Sequence, residues 1–142
     1  QDYNYWPLEP PVIISAWLAI DQVTRDNACL QVIPGSHRKL LPHIKATPDM
    51  AFLEMADPQY VDDSLAIDIE LDPGQFILFN ERLLHHSEVN RSNLPRCGLS
   101  IRLIPPIVRV LKYDTQNHVL PIVSGHDKMG FNQTGFSAPK DG

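Results

Sequence analysis

The residues that could carry chemistry are concentrated around two adjacent histidines, His85 and His86. Neighbouring side chains of a β-strand point to opposite faces, so only one of the two can serve a given site. Ser87 shares the face of His85, and in the following strand Arg96 and Arg102 share another. These polar residues predict one histidine ligand near a polar face that carries two arginines. A plain solvent-exposed surface is the alternative that this segment, taken alone, leaves open.

The segment Val12–Ile20 is predicted to be a strand that helps to position this site. Its even positions are all apolar, which is typical of a face that packs against a core. The odd positions include Ser15 and Trp17, and we expect that face to line a pocket.

Two hairpins are predicted further along the chain. Residues 65–71 alternate apolar and polar side chains, which indicates a half-buried strand. Asp72-Pro73-Gly74 then predicts a turn into a second strand at residues 75–80, so that the two strands form a hairpin. Residues 83–87 and 96–104 are predicted to form a further pair, joined by a polar stretch.

Many short strands separated by turns favour an all-β jelly roll whose mouth can hold a small molecule. The 13 prolines in 142 residues agree with this, because proline interrupts helix interiors and central strands. We expect a β-barrel core at residues 1–113, an irregular insertion at 38–63 within it, and a C-terminal tail at 114–142.

The charge and composition exclude several classes of protein. A net charge of -5 and a pI of about 5.6 provide no basic surface for nucleic acid. The longest nearly apolar run, Val12–Ile20, is too short to span a membrane as a helix. Cys29 and Cys97 lie in no motif, so we expect two buried thiols in a reducing compartment, which favours the cytoplasm over a disulfide-forming location.

The histidine segment resembles the H-x-S-x-x-N-x-S motif of the phytanoyl-CoA dioxygenase family, which is followed at the family's spacing by an arginine. His85, Ser87, Asn90, Ser92 and Arg96 fall on these positions. We interpret Asn90 and Ser92 as turn formers rather than as site residues.

The first residues are similar to the family's H-x-D metal motif, often His-Gln-Asp. Asp2 matches the carboxylate, and the motif's histidine is expected immediately before Gln1, so the chain is interpreted as a fragment that begins just after this ligand. Residues 15–20 and 29–37 are similar to two further family blocks in the expected order.

The resemblance implies a partial double-stranded β-helix, a cupin-like barrel, with Fe(II) as the metal, 2-oxoglutarate as co-substrate and O2 as oxidant. It implies that Asp2 and His85 ligate the metal and that Arg96 binds the far carboxylate of 2-oxoglutarate. Guanidinium suits this role because its planar fork matches a carboxylate. Ser87 would add a hydroxyl to that carboxylate, and Trp17 would form a wall beside the co-substrate.

The implied activity is hydroxylation of a small organic substrate, such as a lipid, an acyl-CoA or a natural product. A related halogenase is disfavoured, because those relatives have Ala or Gly where this chain has Asp2. A cupin-like binding module without catalysis, and a metal-dependent isomerase or a dioxygenase that does not use 2-oxoglutarate, remain alternatives. The sequence specifies neither the substrate nor the oligomeric state.

Overall fold

The structure is a computed structural model that describes residues 1–48, 50, 52–111 and 119–135. These residues contain ten strands, four short 3-10 turns and no α-helix. The strands are β1 (Leu8–Glu9), β2 (Ile14–Ala19), β3 (Leu30–Val32), β4 (His43–Lys45), β5 (Glu54–Ala56), β6 (Ile67–Ile69), β7 (Phe76–Asn80), β8 (His85–Ser87), β9 (Gly98–Leu103) and β10 (Arg109–Val110). The 3-10 turns are Tyr3–Tyr5, Ser36–Arg38, Pro58–Tyr60 and Asp63–Leu65.

Two three-stranded antiparallel sheets form the main unit, one in the order β7-β2-β9 and the other in the order β6-β3-β8. Side chains from both sheets meet in one apolar cluster, so the two sheets pack face to face. Its buried members are Leu30, Val32, Phe79 and Leu83, with Trp17, Ile69 and Ile77 packed against them. The fold is the partial double-stranded β-helix, or jelly roll, that the sequence predicts.

The predicted hairpins are wrong, although their strands exist. β6 pairs with β3 and β7 pairs with β2, so Asp72-Pro73-Gly74 turns the chain from one sheet to the other. The turn itself is as predicted, since the Gln75 N–H donates to the Asp72 carbonyl and Gly74 has φ 88. β8 and β9 likewise lie in different sheets. Adjacent strands in a jelly roll cross between sheets, which a local turn pattern does not reveal.

The even face of β2, which was predicted to pack against a core, is the more exposed of the two, whereas the odd face, which was expected to line a pocket, lies inside. Ser15 and Ala19 are fully buried, whereas Ile14 on the opposite face is 38% exposed. β2 is the central strand of its sheet and is apolar on both faces, so hydrophobicity alone does not tell which face is inside. The odd positions, including Trp17, face the second sheet.

The region predicted to be an irregular insertion contains a short antiparallel hairpin, β4–β5, between two of the 3-10 turns. Contacts divide the described chain into two compact units. The first comprises residues 1–3 and 14–103, and the second comprises residues 4–13 and the described residues from 104 onward. In the second unit β1 pairs with β10, and Asn132 binds the backbone of Val108 and Val110. The predicted boundary at residue 113 lies outside the described residues and stays a prediction.

The two cysteines differ in environment. Cys29 is buried and Cys97 is exposed, so the expectation of a buried thiol is wrong for Cys97, which lies just before the first residue of β9. Both are free thiols, without a disulfide. Within the described part of the chain, no helix has the length and apolar character needed to cross a membrane.

Candidate metal and co-substrate site

The pairing of β3 with β8 determines which histidine faces the barrel interior. His85 lies opposite Val32 and Ser87 lies opposite Leu30, and both partners belong to the buried core. Directly paired residues share a face of the sheet, so His85 and Ser87 point inward. His86 pairs with the outward position between them and is exposed. Of the two histidines, His85 is therefore the one on the inner face.

The imidazole of His85 is held in an orientation that suits a metal ligand. Its Nδ1 lies 2.9 Å from the carbonyl oxygen of Leu83. A carbonyl only accepts hydrogen bonds, so Nδ1 carries the hydrogen and Nε2 presents a lone pair in the neutral ring. Burial lowers the pKa of His85 below its ordinary value, outweighing the opposite effect of Asp2. The ring is therefore neutral at pH 7, as metal binding through nitrogen requires.

The carboxylate of Asp2 lies next to this nitrogen. Its Oδ1 is 3.6 Å from His85 Nε2, and its Oδ2 is 3.3 Å from Nη2 of Arg102. The Asp2 N–H donates to the carbonyl of Glu81 at 2.6 Å. The fold therefore brings together two predicted metal ligands that belong to different motifs and lie far apart in the sequence.

The donor chemistry of this pair fits a divalent cation. A neutral imidazole nitrogen and a carboxylate oxygen are both electron-pair donors, so an ion bound by both relieves their mutual repulsion. Nitrogen and oxygen ligands lie about 2 Å from such ions, and a 3.6 Å separation allows both atoms to bind one ion. Considering residues 1–48, 50, 52–111 and 119–135, no three His, Cys, Asp or Glu side chains are grouped to hold a metal. The pair matches two ligands of a two-histidine, one-carboxylate iron site.

The other three predicted residues, Arg96, Ser87 and Trp17, form a second cluster on the same inner face. Nη1 of Arg96 donates to Oγ of Ser87 at 3.5 Å, and its guanidinium carbon lies 5.7 Å from the centroid of the Trp17 ring. Ser87 is two residues beyond His85 on β8, or about 7 Å along the strand. A cluster that carries the positive charge of Arg96 thus lies on the same face as the candidate metal ligands, about two strand residues from His85.

Gly98 explains how the indole of Trp17 fits beside Arg96. A Cβ at position 98 would lie 2.6 Å from Cε2 of Trp17, which is well inside van der Waals contact. Gly98 is the first residue of β9, and the next inward residue, Ser100, is directly opposite Trp17. The missing side chain at residue 98 therefore makes space for the ring.

Asn90 and Ser92 form a turn, as predicted. The side-chain oxygen of Asn90 accepts from the N–H of Ser92 at 2.9 Å and from its hydroxyl at 2.8 Å. The Asn90 amide also donates to the carbonyl of Leu94. These contacts close the loop that connects β8 to Arg96.

Sequence reasoning missed the residues that hold the Asp2 segment in place. The buried side chain of Gln1 donates to the carbonyls of Lys39 and Arg82 and accepts from the N–H of Leu41. The imidazole Nε2 of His43 lies 3.0 Å from the Gln1 carbonyl, and Tyr3 packs edge-on against that ring. His43 has no partner at ligand spacing in the sequence, so no local pattern reveals this role.

Residues 1–98 match the family model for phytanoyl-CoA dioxygenase (PhyH). The chain is 36% identical over 106 residues to a probable phytanoyl-CoA dioxygenase of Caenorhabditis elegans, covering 70% of this chain and 33% of that protein. The chain thus spans about a third of the length of this curated relative.

Two solved structures show similar architecture. EvdO2 of Micromonospora carbonacea var. aurantiaca, complexed with 2-oxoglutarate, superposes with a TM-score of 0.58 at 28% identity, covering 68% of this chain and 38% of that one. The epimerase SnoN, in complex with Fe3+, alpha ketoglutarate and nogalamycin RO, has a TM-score of 0.61 at 16% identity, covering 97% and 53%, and supports the fold alone. On the family match over residues 1–98, the chain belongs to the phytanoyl-CoA dioxygenase family, whose homologues are Fe/2-oxoglutarate oxygenases.

Proposed function

We propose that this chain forms the core of an Fe(II)- and 2-oxoglutarate-dependent oxygenase that hydroxylates a small organic substrate. The proposal rests on two groups of residues that lie near each other on the same inner face, the candidate metal ligands and the cluster around Arg96. Asp2 and His85 lie 3.6 Å apart, and Arg96 contacts both Ser87 and Trp17 about two strand residues away.

In this proposal Asp2 and His85 supply two of the three metal ligands. The family motif includes a histidine as the third ligand. Three ligands on one side of the metal leave positions for a co-substrate and O2. When bound, the iron couples oxidation of 2-oxoglutarate by O2 to oxidation of the substrate.

In this proposal the protein residues orient the co-substrate and the metal ligand. Arg96 binds the far carboxylate of 2-oxoglutarate through its fork, and the Ser87 hydroxyl adds a hydrogen bond to the same group. Trp17 forms the wall behind the guanidinium. The Leu83 carbonyl keeps the hydrogen of His85 on Nδ1, so Nε2 stays available to the metal.

The acidic ligand at position 2 favours an oxygenase over a halogenase, because a carboxylate occupies the coordination position that a halide would need. A small-molecule substrate of lipid, acyl-CoA or natural-product type fits the family, and the cytoplasmic location stays a prediction. Since SnoN is described as an epimerase, the fold also accommodates outcomes other than hydroxylation.

The test uses the full-length protein with 2-oxoglutarate, and measures succinate with and without Fe(II) and O2. The proposal predicts succinate only when both are present, and loss of turnover after chelation that added Fe(II) restores. Equal succinate in chelated and iron-loaded samples contradicts an iron-dependent reaction. Absence of succinate from iron-loaded protein supports the binding-module alternative.

A further inference from the structure

The arginine on β9, Arg102, contacts one of the two candidate metal ligands rather than the co-substrate cluster. Its Nη2 lies 3.3 Å from Oδ2 of Asp2, and its Nη1 donates to the hydroxyl of Ser100 on the same strand. The two oxygens of Asp2 are therefore differently engaged, since Oδ1 faces His85 and Oδ2 faces Arg102.

We propose that Arg102 is a positioning residue that holds Oδ2 of Asp2, so that Oδ1 alone is presented to the metal beside His85. The inference rests on the proposed iron site and assigns to Arg102 a role separate from that of Arg96. With Oδ2 held by Arg102, the Asp2 side chain keeps one rotamer and is a monodentate ligand through Oδ1.

Asp2 needs such a partner because no strand holds it. The residue lies between Gln1 and the 3-10 turn Tyr3–Tyr5, and its backbone is tied to the Glu81 carbonyl. That contact fixes the main chain but leaves the side-chain torsions free to rotate. Arg102 can restrict them, because its Nη2 lies against Oδ2 of Asp2 while its Nη1 is anchored on the hydroxyl of Ser100.

Arg102 is itself well placed to act as a rigid support. It lies near the end of β9, which is paired along its whole length with β2. The residue opposite Arg102 is Ser15, which is fully buried, so the backbone that carries Arg102 is paired with a buried part of β2. The side chain of Arg102 is 25% exposed and that of Asp2 is 21% exposed, which limits screening of their interaction by water.

Two roles for Arg102 predict opposite effects on metal affinity. A positive charge near a cation site opposes metal binding, so an arginine that merely neutralises Asp2 would weaken affinity, and its removal would tighten it. A positioning arginine strengthens affinity by holding the ligand ready, and its removal weakens binding. Residues that orient metal ligands typically contribute about tenfold to a hundredfold in affinity.

The experiment measures Mn(II) affinity of the full-length protein, without co-substrate, from the free Mn(II) signal in electron paramagnetic resonance. Arg102→Met removes the charge, and Arg102→Lys keeps it while losing the fork. We expect Arg102→Met to weaken Mn(II) binding by about tenfold or more and Arg102→Lys to weaken it by a smaller factor. Arg25→Met is the matched control, because Arg25 is an exposed arginine paired with Asp68 outside the site, and it should bind Mn(II) like wild type.

Thermal unfolding of the metal-free variants checks that the fold is retained, and a retained melting temperature with weakened Mn(II) binding supports the positioning role. If Arg102→Met destabilises the fold, Arg102→Lys decides the question. Wild-type or tighter Mn(II) affinity in folded variants overturns the inference and leaves the iron site standing. If the wild-type protein does not bind Mn(II), the proposed metal site itself is wrong. That outcome differs from one in which the wild-type protein binds Mn(II) and the Arg102 variants bind it equally well.

Discussion

Replacement of Arg96 is expected to affect co-substrate binding while it leaves metal binding intact. The guanidinium of Arg96 donates to Ser87 and lies over Trp17, so the side chain already has a fixed orientation before an anion binds. Arg96→Lys keeps the positive charge but loses the bidentate fork and the planar surface over the indole. Arg96→Leu loses the charge, the fork and the planar surface.

The size of the effect follows from the hydrogen bonds lost. Each hydrogen bond to a charged group contributes about 1.5–3 kcal/mol, and each 1.4 kcal/mol is about tenfold in affinity. Arg96 is only partly buried, so water compensates some of the loss, and we expect the lower end of that range. Arg96→Lys should weaken 2-oxoglutarate binding by about tenfold, and Arg96→Leu by about a hundredfold.

The assay is calorimetric titration of 2-oxoglutarate into full-length protein loaded with Mn(II). Arg91→Leu is the matched control, because Arg91 is exposed in the loop that precedes Arg96 and should bind 2-oxoglutarate like wild type. Mn(II) affinity should hardly change in the Arg96 variants. If Arg96→Leu binds 2-oxoglutarate like wild type while Arg102→Leu, in metal-saturated protein, fails to bind it, the co-substrate has been assigned to the wrong arginine.

Two further substitutions test the geometry around the same site. His85→Ala should abolish Fe(II) binding by the full-length protein, measured anaerobically by equilibrium dialysis. His86→Ala should leave Fe(II) binding largely intact, because His86 faces outward. The reverse pattern would show that the register of β8 is misassigned. Gly98→Ala should displace the Trp17 indole and weaken 2-oxoglutarate binding several-fold in calorimetry, while metal affinity is retained. An unchanged affinity for 2-oxoglutarate would mean that the position of Trp17 does not affect co-substrate binding.

The sequence predicted the fold class and the opposite orientations of two adjacent histidines because both depend on local patterns, whereas the choice of His85 as the ligand rested on the family motif. Alternation along residues 85–87 places His85 and His86 on opposite faces whatever their strand pairs with. Short strands with turns between them favour a jelly roll in the same way. These inferences needed no knowledge of which strands are neighbours.

Strand pairing and the surroundings of Asp2 could not be predicted in this way, because both depend on contacts between residues far apart in the chain. The Asp72-Pro73-Gly74 turn was recognised, yet the strands on either side join different sheets. The contacts of Asp2 with Arg102, and of Gln1 with His43, cross 100 and 42 residues respectively. Only the folded arrangement shows that Arg102 lies next to the Asp2 carboxylate.

The most direct test of the account is an anaerobic titration of the full-length protein with Fe(II) and 2-oxoglutarate, followed by visible absorption. Chelation of iron by the keto acid produces a charge-transfer band that neither component gives alone. We predict that this band appears in wild-type protein at one equivalent of each component and is absent from His85→Ala. A wild-type protein without the band, or a His85→Ala variant with the full band, would contradict the assignment of Asp2 and His85 as the metal site.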